Sequence, residues 1–247
     1  METGSSKFYA GTSGWAYAVW KPDFYPPKLP QKDFLKFYST QLNAVEVNYS
    51  FRRMLNEKII ASWMAQTPQH FRFALKAHQA ITHFRRLKNA QEPLQRFVDS
   101  IQPLAQAERL GPVLFQLPPD LKADAHLLNS FLELAPRRLR VAFEFRHASW
   151  FNADVFAVLE RHNAALCIAE SDKLASPERF TADFAYFRLR KPEYLKTERQ
   201  QIATAMRKRL NQVGEIYAFF KHEERPDSPL YARELLEAVA GGSSAAA

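Results

Sequence analysis

The stretch Leu139-Arg-Val-Ala-Phe-Glu-Phe145 alternates large apolar residues with small or charged ones. Its valine and phenylalanines, such as Phe143, share one face, and its alanine and Glu144 share the other. A period of two residues predicts a β-strand. The bulky face is suited to packing against helices, so we expect the face with Glu144 to point towards the other strands. The stretch therefore predicts a charged residue, Glu144, on the inner face near the carboxyl end of a strand.

Short β-branched and aromatic runs of this kind occur eight times along the chain. The predicted strands are Phe8–Thr12, Ala44–Asn48, Phe71–Lys76, Val113–Gln116, Leu139–Phe145, Ala164–Ala169, Phe184–Leu189 and Glu215–Phe220. Between them, apolar residues recur every three or four positions, which predicts helices. These are Asp33–Leu42, Glu57–Ala65, Pro93–Ala107, Ala125–Leu134, Ala153–Arg161, Glu198–Gln212 and Pro229–Val239. The polar segment 170–183 is too irregular for a full helix.

Strand–helix alternation implies parallel strands joined by right-handed crossovers. Eight units in about 240 residues match the size of a TIM-type (β/α)8 barrel, at roughly 30 residues per unit. We therefore predict an α/β barrel with one degenerate unit, which lacks a full helix between strands 6 and 7. The alternative is a doubly wound open sheet, but Gly11-Thr-Ser-Gly-Trp15 does not match the G-x-G-x-x-G spacing of its phosphate loop. Residues 1–240 are predicted to form a single barrel domain, and 241–247 a disordered tail.

The composition of the 247 residues narrows the class of protein. Hydrophobic residues make up 47% and charged residues 24%, which is typical of globular proteins. The net charge of +8 favours anionic partners in general. Cys167 is the lone cysteine, which excludes an intrachain disulfide and a multi-cysteine zinc site. The chain shows neither an apolar run long enough for a membrane helix nor a secretory signal, so we expect a cytoplasmic protein with no membrane partner.

Polar residues gather on the inner face of the predicted strands, at or near their carboxyl ends. They are Glu46, Asn48, Lys76, Gln116, Glu144, Arg146 and Arg188. The active sites of TIM barrels lie at that rim, whereas the interior of a purely structural barrel is filled with branched apolar side chains. The alternative is a buried network of ion pairs that only fills the core. Such networks lose solvation and rarely add net stability, so we favour the functional interpretation.

Aromatic and histidine residues in the following loops extend this predicted site. Trp15 follows the first strand in a loop rich in rings, His83 lies after Lys76, and His147 and Trp150 follow the fifth strand. Flat rings at a barrel mouth can stack on sugars or bases, or they can plug the barrel. For the loop after the first strand the two interpretations are equally good, whereas for His147 and Trp150 we favour a functional role. The cations at the same rim would repel a divalent metal ion, so we expect no metal and no other cofactor.

Five motifs resemble the YecE-like family, a family of unknown function with a TIM-type barrel. They are Gly11-Thr-Ser-Gly-Trp15, Val45-Glu-Val-Asn48 with Phe51-Arg52, Lys76 with Ile81-Thr-His83, Phe115-Gln-Leu-Pro-Pro119 and Glu144-Phe-Arg-His-Ala-Ser-Trp150. The resemblance implies a barrel but no particular reaction. Two segments depart from the family pattern: Arg188-Leu-Arg-Lys191 replaces Arg-x-His-Gly, and Lys221-His-Glu-Glu224 replaces an asparagine-rich turn.

These observations lead to a functional hypothesis and a rival. The hypothesis is a metal-independent enzyme acting on an anionic, phosphate-bearing small substrate at the C-terminal mouth. Glu46 or Glu144 would be the general base, and Lys76 an electrophile or anion anchor. Arg146 and Arg188 would bind the anion, with the remaining substrate contacts from Trp15, Asn48, His83, Gln116, His147 and Trp150. The rival is a nucleic-acid-binding module, related in fold to barrel endonucleases, that binds without cleavage.

Overall fold

The computed structural model describes residues 7–171, 173–221 and 224–241, and these contain eight parallel strands arranged as a barrel. The strands are β1 (Lys7–Thr12), β2 (Ala44–Val47), β3 (Arg72–Lys76), β4 (Leu110–Gln116), β5 (Val141–Glu144), β6 (Ala165–Ala169), β7 (Phe184–Leu189) and β8 (Glu215–Phe220). Their order in the sheet is β1-β8-β7-β6-β5-β4-β3-β2. The predicted TIM-type barrel is confirmed.

Helices follow the strands on the outside. They are α1 (Phe34–Gln41), α2 (Tyr49–Arg52), α3 (Glu57–Gln66), α4 (Gln91–Gln106), α5 (Ala125–Leu134), α6 (Ala153–Arg161), α7 (Lys196–Leu210) and α8 (Asp227–Gly241). Several begin at a side-chain cap, which satisfies a backbone N–H that has no partner within the helix. Asn56, Asp124 and Asn152 each accept a hydrogen bond from the backbone N–H three residues further on, at 2.9–3.0 Å.

The connection between β6 and β7 contains no helix in its described residues, 170–171 and 173–183. Near the end of this connection, the side chain of a threonine bonds to the backbone around the start of β6. Thr181 Oγ1 accepts from Leu166 N at 2.9 Å and donates to Ala164 O at 2.7 Å, which holds the connection against the start of β6. The predicted degenerate unit is therefore confirmed.

Small residues on some strands make room for aromatic rings on others inside the barrel. Ala44, Ala74, Ala142 and Ala165 face inwards from β2, β3, β5 and β6. The space is filled by large side chains from β1, β7 and β8, namely Tyr9, Phe184, Tyr186, Tyr217 and Phe219. The larger apolar core lies between strands and helices, where Phe115 stacks on Phe143 at 5.5 Å. Close packing of both layers fixes the direction of each strand end.

Side chains close the seam between β1 and β2, because backbone pairing there is reduced to one bridge between Ser13 and Glu46. Tyr38 OH accepts from Thr12 N at 2.8 Å and donates to Ala44 O at 3.0 Å. Gly11 is required at this seam, since a Cβ atom there would lie 1.9 Å from Ala44 O. We call this region, formed by residues 10–13, Tyr38 and residues 43–46, the β1–β2 seam.

The predicted C-terminal tail and the predicted lack of a membrane helix can be compared with the described residues. Helix α8 ends at Gly241, and the rest of the predicted tail, residues 242–247, lies outside the described residues. None of the helices that the structure describes is long and apolar enough to cross a membrane.

Candidate active site at the barrel mouth

Six of the predicted rim residues converge at the carboxyl ends of the strands. Their side chains are linked by consecutive hydrogen bonds in the order Glu46, Arg188, Glu144, Gln116 and Lys76, and Arg146 bonds to Glu144. We call this set of side chains the ion-pair chain. Each comes from an inner position of a strand or from the residues that follow one. The inward phase read from the sequence is therefore what brings them together.

Glu46 is completely buried and both of its oxygens are occupied. Arg188 Nη2 donates to Oε1 at 2.7 Å, Ser13 Oγ donates to the same oxygen at 2.6 Å, and Tyr186 OH donates to Oε2 at 2.7 Å. Burial acts to raise the pKa of Glu46, but Arg188 and the two hydroxyl donors outweigh it and lower the pKa. Glu46 is thus held as a carboxylate that cannot readily accept a proton.

Glu144 accepts hydrogen bonds from four side chains. Arg188 Nη1 and Gln116 Nε2 donate to Oε2 at 2.6 and 2.8 Å, and Arg146 Nε donates to Oε1 at 3.1 Å. Arg190 Nη2 reaches both oxygens, at 2.8 and 3.0 Å. Burial opposes ionisation, yet the three guanidinium groups keep the pKa of Glu144 far below its usual range.

Arg190 was not among the predicted site residues. It lies two positions after Arg188, so it shares the inward phase that selected Arg188, although it follows the last residue of β7. Continuing the alternation one step past the strand would have found it. It stands where the family pattern has a histidine, so this departure places a third guanidinium beside Glu144, after those of Arg188 and Arg146. In the other departing segment, residues 222 and 223 lie outside the described residues.

Lys76 has the environment of a reactive amine. Its Nζ donates to Gln116 Oε1 at 2.9 Å and lies 4.0 Å from the centre of the Phe51 ring. Burial, together with the positive charges of Arg188 and Arg146, lowers the pKa of Lys76 from 10.5 to about 8, although Glu46 and Glu144 pull the other way. About a tenth of the amine is therefore uncharged at pH 7, far more than for an ordinary lysine.

His83 packs against Phe51, the ring that lies over Lys76. The His83 and Phe51 rings meet edge to face at 4.9 Å, and Thr82 Oγ1 lies 2.9 Å from His83 Nδ1. Burial and the nearby Lys76 lower the pKa of His83. Its imidazole is therefore neutral over most of the physiological range, and it supports the ring that covers Lys76.

The mouth opens next to Glu144 into a cavity of about 240 Å³. Arg146, Arg190 and Lys173 line it with Glu144. The Arg146 side chain is 38% exposed, against 2% for Arg188. Within the described residues, the two carboxylates of the hydrogen-bonded cluster, Glu46 and Glu144, are surrounded by four cationic groups: Lys76, Arg146, Arg188 and Arg190. This excess of positive charge favours an anion at the opening.

The structure modifies the predicted roles of several residues. Both terminal nitrogens of Arg188 are used by carboxylates and its side chain is buried, so Arg146, and not Arg188, is the guanidinium exposed at the opening. Both carboxylates have low pKa values and several donors, which argues against their use as a general base. Trp150 does not reach the mouth, because its ring is fully buried, stacks on Phe145 at 4.7 Å and donates to Leu121 O.

The other predicted loop residues lie apart from the ion-pair chain. His147 is half-buried, and its Nδ1 accepts from Ser149 N at 3.2 Å, which caps the short turn 148–150. Trp15 and Asn48 line a separate cavity. The rings of Trp20, Phe24 and Tyr25 are buried in the outer core, where Tyr25 stacks on Phe34 at 4.0 Å. Those three rings of the loop after β1 therefore contribute to the outer core.

The donors at the mouth suit an anion better than a metal. Within the described residues, no three His, Cys, Asp or Glu side chains are grouped so that they could hold a metal ion. Glu46 and Glu144 are both engaged by Arg188, and every carboxylate oxygen of the pair already accepts at least one hydrogen bond. The charged groups present are therefore arranged for ionic hydrogen bonding.

A comparison with protein families matches the family described as "Protein of unknown function DUF72" over residues 9–246. The chain belongs to this family. A DUF72 relative, UPF0759 protein YunF of Bacillus subtilis, is 30% identical over 150 residues, and UPF0759 protein YecE of Escherichia coli K12 is 28% identical over 118. These alignments cover 58% and 47% of this chain, and the chain spans about half the length of the curated relatives it matches (52% and 43%). The YecE-like resemblance is confirmed.

Solved DUF72 structures share the whole barrel. The family member TM1631 of Thermotoga maritima is 26% identical, with a TM-score of 0.84 and 95% of this chain and 99% of that chain covered. The member EF0366 of Enterococcus faecalis is 16% identical, with a TM-score of 0.79 and coverages of 94% and 95%. The arrangement of strands that builds the mouth is therefore common to DUF72 proteins of distant sequence.

Proposed function

We propose that this DUF72 protein is a metal-independent enzyme that acts on an anionic, phosphate-bearing small substrate at the barrel mouth. The observation that carries the proposal is the Lys76 amine, whose pKa is lowered to about 8 and which is joined through Gln116 to Glu144, a residue of the cation-lined opening. An uncharged amine is a nucleophile or a base, and an adjacent anion site supplies the binding energy that orients a substrate towards it.

The proposed roles follow from burial and hydrogen bonding. Arg146 and Arg190 meet the anion, because both line the open cavity. Glu46, Glu144 and Arg188 form a fixed charged layer beneath, which holds the strand ends in position. Lys76 is the reacting group. Its uncharged Nζ would attack a substrate carbonyl carbon, the two amine protons would pass to the carbonyl oxygen, which leaves as water, and an imine would remain on Nζ.

A phosphate-bearing aldehyde tests this proposal, because it combines a reactive carbonyl with the anion that the site should bind. The protein is incubated with pyridoxal 5′-phosphate as a probe, reduced with borohydride and mapped by peptide mass spectrometry. We expect the adduct preferentially on Lys76, with labelling suppressed by excess inorganic phosphate. Arg146→Met should lower the labelling of Lys76 at least several-fold.

Matched lysine variants make the result specific. Lys76→Arg should abolish the preferred adduct, whereas Lys191→Arg should not change it, because Lys191 is paired with Glu198 at the surface and its pKa is raised. Labelling spread evenly over surface lysines, or labelling of Lys76 that phosphate does not suppress, would contradict the proposed site.

A further inference from the structure

A second cavity, of about 420 Å³, lies beside the β1–β2 seam. Its lining comes from the loop after β1, the end of β2 and helix α3, and consists of Gly14, Trp15, Ala16, Tyr17, Val47, Asn48, Tyr49, Ile59 and Trp63. The volume falls in the range of pockets that take small molecules, roughly 300–1,000 Å³. Aromatic rings dominate this lining, so we call it the aromatic cavity. The ion-pair chain described above contains none of its residues.

The rings of the aromatic cavity are held in fixed positions. Trp63 stacks on Phe73 of the core at 5.6 Å and meets Trp15 edge to face at 5.4 Å. Tyr25 OH donates to Trp15 O at 2.5 Å, which anchors the backbone of the opposite wall. Rigid aromatic walls of this kind lose little freedom when a flat ring inserts between them.

Tyr17 forms a further wall of the aromatic cavity, and its position depends on the lack of a side chain at Gly14. Gly14 has a φ of +98°, and a Cβ atom at this position would lie 2.5 Å from Tyr17 OH. The absence of a side chain lets Tyr17 fold back so that its hydroxyl donates to Ser13 O at 2.9 Å. The loop thus presents the ring of Tyr17 to the cavity.

Asn48 is the polar residue whose position needs an explanation. It occupies the N-cap of α2, where an asparagine side chain ordinarily accepts a backbone N–H. Here it makes no such bond, and within the described residues its amide has no hydrogen-bond partner at all. It lines the aromatic cavity and is only partly exposed. A free amide therefore offers a donor and an acceptor among the rings.

We propose that the aromatic cavity binds the adenine-type ring of a small nucleotide. A side-chain amide matches the amino group and ring nitrogen on one edge of adenine, and aromatic side chains stack on its faces. Asn48 lies two residues after Glu46, and Ser50 Oγ of α2 donates to Lys76 O at 2.7 Å, so the aromatic cavity lies on the Lys76 side of the mouth. The inference deepens the proposed function and rests on it for the phosphate end of the ligand.

Calorimetric titration with three probes separates the two ends of the ligand. Adenosine carries only the ring end, ribose 5-phosphate only the anionic end, and adenosine 5′-monophosphate both. We expect all three to bind, with the monophosphate tightest. Asn48→Leu and Trp15→Ala should each weaken adenosine about tenfold, as expected for one base-edge contact and one stacking contact, and should leave ribose 5-phosphate unchanged. Phe84→Ala removes an exposed ring outside the cavity lining and should have no effect.

The outcomes distinguish this inference from the proposed function. Adenosine that fails to bind at millimolar concentration, or that binds equally well to both cavity variants, overturns the inference, and binding of ribose 5-phosphate then still supports the anion site. Adenosine binding that depends on Asn48 and Trp15, without any binding of ribose 5-phosphate, supports the cavity and counts against the anion site. A short oligoadenylate that binds at least tenfold more tightly than the monophosphate at physiological salt would overturn the assignment to a small nucleotide.

Discussion

Glu46 and Glu144 bind the same guanidinium although they come from strands three apart in the barrel. Arg188 Nη2 contacts Glu46 Oε1 at 2.7 Å, and Nη1 contacts Glu144 Oε2 at 2.6 Å. All three side chains are at most 2% exposed. The barrel therefore contains a buried ionic cross-link between β2, β5 and β7 directly beneath its mouth.

Removal of the central cation should destabilise the fold strongly. Arg188→Met leaves two buried carboxylates close together, and loss of one partner from a buried pair typically costs about 3–5 kcal/mol. We expect a decrease of at least about 3 kcal/mol in the free energy of unfolding, measured by urea denaturation. The triple variant Arg188→Met/Glu46→Gln/Glu144→Gln should recover much of this loss, and a triple variant less stable than Arg188→Met would contradict the explanation.

Acid should destabilise the protein in part through Glu144. Its folded-state pKa is below the ordinary value near 4.5, because the stabilisation by Arg188, Arg190 and Arg146 exceeds the effect of burial. The carboxylate therefore contributes stability in full above that value, and the contribution is lost as the pH falls below it. We expect the acid limb of stability against pH to be flatter in Glu144→Gln than in the wild type. Glu193→Gln is the control, because Glu193 is exposed and does not contact this cluster.

The amine of Lys76 should react at a lower pH than other lysines. The rate of its acylation, followed by mass spectrometry, should rise with pH around 8, because the uncharged form is the reactive one. Lys191 is the internal control, since its pairing with Glu198 raises its pKa above 10.5. A profile in which both lysines titrate together would refute the lowered pKa. In Gln116→Leu, loss of the hydrogen bond to Nζ should leave the low-pH onset in place, because burial is the larger cause.

The β1–β2 seam should depend on one hydroxyl. Tyr38→Phe leaves Thr12 N and Ala44 O without their common partner, which should lower the free energy of unfolding by about 1–3 kcal/mol. Hydrogen exchange at the Thr12 amide should become faster. Tyr231→Phe is a matched control, because the Tyr231 hydroxyl makes no hydrogen bond within the described residues. Equal effects of the two substitutions would remove the special role of Tyr38.

Salt separates the pocket enzyme from the nucleic-acid-binding rival. A protein that neutralises about six phosphates loses roughly 10³-fold or more in affinity between about 50 and 200 mM salt, whereas a site for one phosphate shows a shallow slope. We expect weak oligonucleotide binding with a shallow slope that Arg85→Ala/Arg86→Ala does not change, since Arg86 is already paired with Asp120 at 2.9 Å. Submicromolar, steeply salt-dependent binding that the double variant weakens would favour the rival.

The alternation of residues along strands was enough to predict most of the barrel. Predicted and observed bounds coincide for β7 and β8 and differ by one or two residues for most others. The start of β4 was missed because Gly111-Pro112 usually interrupts a strand, yet the pair lies within Leu110–Gln116. Helix α2 and the turn Ala80–Phe84 were not predicted, since four or five residues are too few to show a helical period.

The residues on the strands of the candidate site were predictable as neighbours, whereas its loop residues and the pairing of its charges were not. Inward phase selected Glu46, Lys76, Glu144 and Arg188 correctly as neighbours. Phase along one strand contains no information on which cation meets which carboxylate, so the burial of Arg188 between two acids had to come from the structure. Trp150 lies in a loop after β5, where no periodicity indicates direction, and it turns towards the helices and stacks on Phe145.

The seam also sets an order in which the barrel can be completed during synthesis. In the described chain, β1 pairs along its full length with β8, from Lys7 with Glu215 to Thr12 with Phe220, whereas its contact with β2 is the bridge at Ser13. When a ribosome has made the first seven strands, β1 still lacks the neighbour that satisfies its backbone groups. The nascent chain therefore carries an unpaired strand edge until residues 215–220 emerge, and that interval is the period in which it is most exposed to misassociation.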